Sequence, residues 1–128
     1  MGWNDAELES FAATDDLHIA PFREDGKTPG TPTWIWSVVV DDGLYVRAYT
    51  GVESRWYAAA MREGAGQITA VGKTHDVGFA PVESEGTLSD RIDDAYRRKY
   101  PTSPYLEPMI EPAVRAATVR VTLRIPSS

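Results

Sequence analysis

The sequence predicts a mainly β, α+β architecture: a small antiparallel barrel with helices at its rim. Six segments carry strand patterns, and most are joined by hairpins or by helix-bearing connections. One of them, Thr33 to Val40, is apolar on both faces, with Trp34, Trp36, Val38 and Val40 on one side and Ile35, Ser37 and Val39 on the other, so it needs cover on two sides. The segment Ala116 to Ile125 alternates strictly: Ala117, Val119, Val121, Leu123 and Ile125 face one way, and Thr118, Arg120, Thr122 and Arg124 the other. Curling such strands into a barrel buries both faces of a central pair and hides the sheet edges.

The remaining elements follow from local chemistry. Asn4 with Glu7 three positions on forms a capping box before Leu8, Phe11 and Ala12, which share a helical face. Leu17 to Phe22 reads as an edge strand, because Pro21 cannot donate to a ladder. Arg23 to Pro32 is a loop dense in glycine, proline and aspartate. Asp41-Asp42-Gly43 is a hairpin turn that pairs the Thr33 to Val40 strand with a following one, in which Leu44, Val46 and Ala48 alternate with Tyr45, Arg47 and Tyr49. Thr50-Gly51 breaks that strand, Ser54 caps a helix from Arg55 to about Arg62, and Gly64 stops it. Gln67 to Gly72 and His75 to Val82 form a second hairpin across Lys73-Thr74. Thr87 caps a helix from Leu88 to Tyr100, ended by Pro101, with Leu88, Ile92, Ala95 and Tyr96 on its inner face. Its outer face pairs Asp93 with Arg97 and Asp94 with Arg98, each pair worth roughly 0.2–0.5 kcal/mol, and reads as solvated. Tyr105 to Pro112 is an irregular crossing or a short helical turn.

The 128 residues are expected to form one domain, 1–128. A net charge of −6 gives the long-range field the wrong sign for nucleic-acid phosphates or anionic membranes. No apolar run approaches the roughly 18 residues of a membrane span. The absence of cysteine excludes disulfides and thiolate chemistry, and Met1 to Phe11 carries acidic residues where a secretory signal is basic and apolar, so a cytoplasmic protein is expected.

Conventional catalytic sets are absent. His18 and His75 have no metal-ligand spacing, and neighbouring His75 and Asp76 on a strand point to opposite faces. No carboxylate pair stands out as a general acid and base. The richest region runs from Lys27 to Tyr57. Lys27, Thr31 and Thr33 lie in or just after the glycine-containing loop, Arg47 is on the next strand, and Ser54 and Arg55 open a helix whose free N–H groups attract an anion. Trp34, Trp36, Tyr45, Tyr49, Trp56 and Tyr57 offer either a stacking surface for a ring system or ordinary core.

Several segments carry a resemblance: Thr31-Pro-Thr-Trp-Ile-Trp, Leu44-Tyr-Val-Arg-Ala-Tyr, Ser54-Arg-Trp-Tyr, Asp90-Arg-Ile-Asp-Asp-Ala-Tyr, Ser103-Pro-Tyr and Ala116-Ala-Thr-Val-Arg-Val. Over nearly the whole chain they resemble a bacterial domain-of-unknown-function family. More distantly, Gly26 to Phe79 is similar to the split β-barrel flavin-binding superfamily, which includes pyridoxamine-phosphate-oxidase-like proteins, flavin reductases and deazaflavin-dependent nitroreductases. This resemblance implies a split barrel, FMN or a deazaflavin cofactor, hydride transfer to a small organic acceptor, and a homodimer. It places the cofactor phosphate near Lys27, Thr31, Arg47 and Arg55 and the ring against Trp34, Trp56 and Tyr57, with Thr33 and Ser54 beside them. Tyr45, Tyr49, Tyr57 and Tyr105 are alternative proton donors. Glu24 and Asp25 beside the loop's Arg23 and Lys27 favour a different reading: a cofactor-free module that binds a small ligand or acts as a structural homodimer.

Overall fold

The structure, a computed structural model, describes residues 3–83, 85–104 and 106–124. Helix α1 (Asp5–Ala13) starts with the expected capping box: Asn4 Oδ1 accepts from Glu7 N–H, and Glu7 Oε1 accepts from Asn4 N–H. It buries Leu8 and Phe11, whereas Ala12 is exposed. Strand β1 (Leu17–Pro21) follows, and then the loop whose turns are held by backbone bonds from Arg23 to Thr28 and from Gly26 to Arg23.

The doubly apolar segment does not run straight. It divides at Trp36 into β2 (Thr33–Ile35) and β3 (Ser37–Val40). Strand β4 (Gly43–Arg47) returns from the Asp41-Asp42 turn, where Asp41 takes a φ of 53°. A single 3₁₀ turn (Gly51–Glu53) leads into α2 (Arg55–Glu63), which Gly64 ends in the left-handed region at φ 65°. The second hairpin is β5 (Ala65–Ala70) and β6 (Lys73–Pro81). Its turn falls at Val71-Gly72 instead of Lys73-Thr74, because a two-residue hairpin turn of this kind wants positive φ at both positions, here 53° and 74°. Helix α3 (Thr87–Lys99), with Gly86 in place of Thr87 at its cap, is followed by the short helices α4 (Leu106–Met109) and α5 (Pro112–Arg115) and by β7 (Thr118–Leu123). Ile125, expected in that last strand, and Tyr105 lie outside the described residues.

All seven strands belong to one antiparallel sheet in the order β2-β1-β5-β6-β7-β4-β3. Its two outermost strands are consecutive in the chain, so the bend at Trp36 carries the sheet round into a nearly closed barrel. Side chains from every strand meet in one interior cluster that includes Ile19, Ile35, Leu44, Ile68, Val77 and Val119, with Val39 of β3 packed against it. Strand β1 therefore lies inside the sheet, between β2 and β5, and not at its edge. Pro21 is tolerated because β2 pairs only with Leu17 to Ile19 and so ends before it.

The other face of β3 and β4 is covered by the helices. Val38, Val40 and Tyr45 pack with Ile92, Ala95 and Tyr96 of α3 and with Met109 and Val114. This second layer explains a strand that is apolar on both sides. Lys99 Nζ fastens it, donating to the carbonyls of Ser37 (2.6 Å) and Phe11 (3.0 Å) and so joining α3, β3 and the last turn of α1.

Two predictions follow from this packing. A Cβ on Gly66 would lie 2.6 Å from both the carbonyl oxygen of Ala20 and the Cα of Pro21. Gly66→Ala therefore forces β1 and β5 apart, and urea unfolding is expected to show a loss of about 1–3 kcal/mol. Burial lowers the Lys99 ammonium to about 8, partly opposed by Asp15, and burial raises Tyr100 to about 12. Between those lowered and ordinary lysine values the unfolded chain binds the extra proton, so stability should rise from pH 8 to pH 10. The Tyr100 contribution is lost only above pH 10. Lys99→Met should flatten the rise in unfolding midpoint over that window.

Candidate functional site

The alternation of β4 sends Leu44 and Val46 into the barrel and Tyr45 and Arg47 outward, under α3. Arg47 is 1% exposed and is the largest fully buried side chain of the chain's described residues. Its Nε donates to Thr118 Oγ1 (2.9 Å), Nη1 to Asp93 Oδ1 (2.5 Å) and the Met109 carbonyl (3.0 Å), and Nη2 to the Ser89 carbonyl (3.1 Å). The guanidinium also lies 5.5 Å from the centre of the Tyr96 ring. Asp93 is thus buried, contrary to its expected place on a solvated helix face, and it faces Arg47 instead of pairing with Arg97. Arg97 pairs with Asp94 at 2.7 Å, three residues away. Arg115 stands on the far side of Asp93, with its buried Nε 3.7 Å from Asp93 Oδ2 and without a hydrogen-bond partner among the described residues.

Above this ion pair opens a cavity of about 460 Å³, within the usual size range of small-ligand sites. The indoles of Trp34, Trp36 and Trp56, with Tyr49, form its aromatic lining. Ile35 and Met109 add apolar surface, Thr33, Thr50 and Ser54 supply hydroxyls, and Arg47 is its one lining cation among the described residues. Two of the indoles are held in place. Trp36 stacks face to face on Tyr100 at 3.9 Å and 4°, and Trp34 Nε1 donates to the Asp15 carbonyl while 54% of the residue remains exposed.

Seven residues marked from the sequence therefore come together here: Thr33, Trp34, Trp36, Arg47, Tyr49, Ser54 and Trp56. Lys27, Thr31, Arg55 and Tyr57 are not in its lining. The Lys27 loop sits at the other end of α2, where a Cβ on Gly26 would lie 3.6 Å from Glu63 Oε1. Two of its backbone N–H groups are already used internally. The Asp25 carboxylate accepts from the Lys27 and Thr28 N–H groups and from the Thr28 hydroxyl, and these bonds hold Asp25 down at about 2. Arg55 is exposed, and Tyr57 points its hydroxyl to the Ala116 carbonyl at 3.5 Å. Of the other proton-donor candidates, Tyr45 accepts from Arg120 at 3.0 Å beside the second core layer, and Tyr105 is outside the described residues.

Met109 carried no sequence signal of its own, Thr50 was marked only as part of a strand break and Asp93 only as a surface ion-pair partner. The Thr118 position opposite Arg47 in the β4–β7 register is the one clue to where the guanidinium goes. The histidines stay apart from the cavity: His18 is near Asp16 at 3.6 Å, and His75 packs edge-on against Trp3 and Phe11, 4.0 Å from Glu7. Among the described residues there is no cluster of metal-ligating side chains, and no helix is long and apolar enough to cross a membrane.

The family model for an uncharacterized protein conserved in bacteria, DUF2255, matches residues 7–121. The chain belongs to this family. That span takes in β1 to β6, the first four residues of β7 and the whole described cavity lining. The fold is also similar to the crystal structure of the conserved hypothetical protein Rv2991 from Mycobacterium tuberculosis, with a TM-score of 0.62 and 17% identity over 95% of this chain and 80% of that one. At that identity the likeness supports the barrel fold alone. No curated protein matches the chain.

The Arg47–Asp93 pair gives this DUF2255 protein a testable weak point. Arg47→Met leaves Asp93 buried without its partner and should cost about 3–5 kcal/mol in denaturant unfolding, most of which Arg47→Met combined with Asp93→Leu should restore.

Proposed function

We propose that the cavity binds a flat ring cofactor of the flavin or deazaflavin class, and that the protein acts as an oxidoreductase passing hydride to a small organic acceptor. The observation that carries this reading is the aromatic lining: Trp34, Trp36, Trp56 and Tyr49 around one cavity of about 460 Å³. Indole faces held by the Trp36–Tyr100 stack and the Trp34–Asp15 bond suit a planar ring, because stacking gains most from surfaces that need no ordering on binding. When bound, such a cofactor supplies the hydride chemistry itself, so the protein needs no acid–base pair of the ordinary kind. The residues of this chain would bind and orient the ring, and Met109 and Ile35 would keep water from one part of it.

The Lys27 loop does not fit the cofactor's phosphate, since its N–H groups are taken by Asp25. That observation also supports a second reading, in which the same barrel is a module for a small aromatic ligand, or a structural homodimer, without redox chemistry.

Titration of the purified protein with riboflavin, FMN, FAD and the deazaflavin cofactor, followed by thermal shift, separates the two. A ligand present at a hundredfold excess over its dissociation constant should stabilise the fold by about 2.7 kcal/mol. Trp56→Ala should weaken its binding about twofold to tenfold, the worth of one aromatic contact. No shift with any of the four would favour the second reading.

A further inference from the structure

The start of α2 is built differently from that of α1. Asn4 caps α1 through its side chain, whereas Ser54, in the equivalent place before α2, makes no capping hydrogen bond. Its backbone is already set by the turn before it: Gly51, at φ 79°, donates to the Ala48 carbonyl, and Ser54 N–H donates to the Gly51 carbonyl. The first backbone bond that closes onto the helix is Ala58 N–H to the Ser54 carbonyl. Among the described residues, the N–H groups of Arg55, Trp56 and Tyr57 have no acceptor from a side chain or a loop carbonyl, the usual state of an uncapped first turn.

Exposure alone would make this unremarkable, since water satisfies such groups. Ser54, however, is only 9% exposed, and it lines the cavity. A serine nine-tenths buried, at the N-cap position and with no capping bond from its hydroxyl, leaves a donor and an acceptor at the cavity wall. The nine-residue α2 adds the positive end of its dipole at the same point. Among the described residues, no carboxylate lies in the cavity lining to compete for these donors, in contrast with the Lys27 loop, where Asp25 fills the equivalent place.

We propose that Ser54 Oγ and the free N–H groups at the start of α2 form an oxyanion subsite of the cavity, which takes a carboxylate or phosphate group carried by the ring ligand. The proposal rests on the reading of the cavity as a ring site for its ring half only. It assigns the acidic group of the ligand to the α2 N-terminus and removes that role from the Lys27 loop. The ligand is then a flat aromatic compound with one acidic group close enough to its ring to reach Ser54 while the ring lies among the tryptophans.

The discriminating variant is Ser54→Asp. Aspartate is among the best N-cap residues, so the variant should fold with an unfolding midpoint equal to or above that of the unaltered protein. Its carboxylate would nevertheless occupy and repel the subsite. The probes are riboflavin, FMN, and inorganic phosphate and benzoate compared with chloride at constant ionic strength, all read by thermal shift. FMN should bind about tenfold more tightly than riboflavin to the unaltered protein, the scale of an anion at a partly buried helix N-terminus. Ser54→Asp should erase that ratio while riboflavin binding persists. Phosphate or benzoate should protect the unaltered protein and not the variant, and the stronger of the two indicates which acidic group the subsite prefers. Lys27→Ala should leave the ratio unchanged.

The proposal is overturned if neither anion protects and FMN binds no better than riboflavin, or if the preference for anions survives Ser54→Asp. Protection by an anion that Ser54→Asp abolishes, with no binding of riboflavin or FMN, would uphold the subsite and sink the ring reading.

Discussion

Closure of the sheet depends on one bend. Residues 33–40 supply both outermost strands, so β2 and β3 are adjacent in the chain but at opposite ends of the strand order. The covalent link through Trp36 does for this barrel what hydrogen bonds do across an ordinary seam. Edge protection, the enclosed interior and the position of the cavity all follow from it. Trp36 stands at the bend, and its ring is stacked on Tyr100 of the helical layer, so the corner of the barrel is also a wall of the cavity.

The helical layer and the cavity share a second dependence. Arg47 leaves the barrel on the face opposite to Leu44 and Val46 and is received by α3, α4 and β7 through Asp93, Ser89, Met109 and Thr118. A buried guanidinium with this many partners holds three separated parts of the chain at one point. Such a pair is weak evidence of stability, because desolvation offsets much of the attraction, but it fixes the geometry of everything that contacts it. The Met109 side of the cavity is positioned in this way.

Much of this architecture was legible in the residues. The capping box at Asn4, the Asp-Asp-Gly turn, the stop at Gly64 and the alternation of the last strand depend on local chemistry and fall where that chemistry puts them. What was not legible depends on contacts distant in sequence. The division at Trp36 has no breaker residue to announce it and comes from closure. The inward position of Asp93 comes from a partner 46 residues away. The Val71-Gly72 turn is a local exception: it puts a β-branched valine at positive φ, a position that residue rarely takes. Around the cavity, the aromatic residues were visible as composition, whereas Lys27 and Thr31 of the loop lie outside the lining. The acidic neighbours of that loop were visible in the residues, but not that the Asp25 carboxylate itself accepts from the Lys27 and Thr28 N–H groups.

The distribution of the four tryptophans has an optical consequence. Trp34, Trp36 and Trp56 line the cavity, while Trp3 is outside its lining, buried at 7% exposure with its N–H on the Val121 carbonyl. Indole emission responds to polarity and to nearby ring systems, and three of the four emitters stand at the cavity wall while Trp3 lies outside it. Trp34, half exposed, emits toward the red, and the enclosed Trp3 toward the blue. A ring placed in the cavity would therefore alter the red edge of the spectrum first.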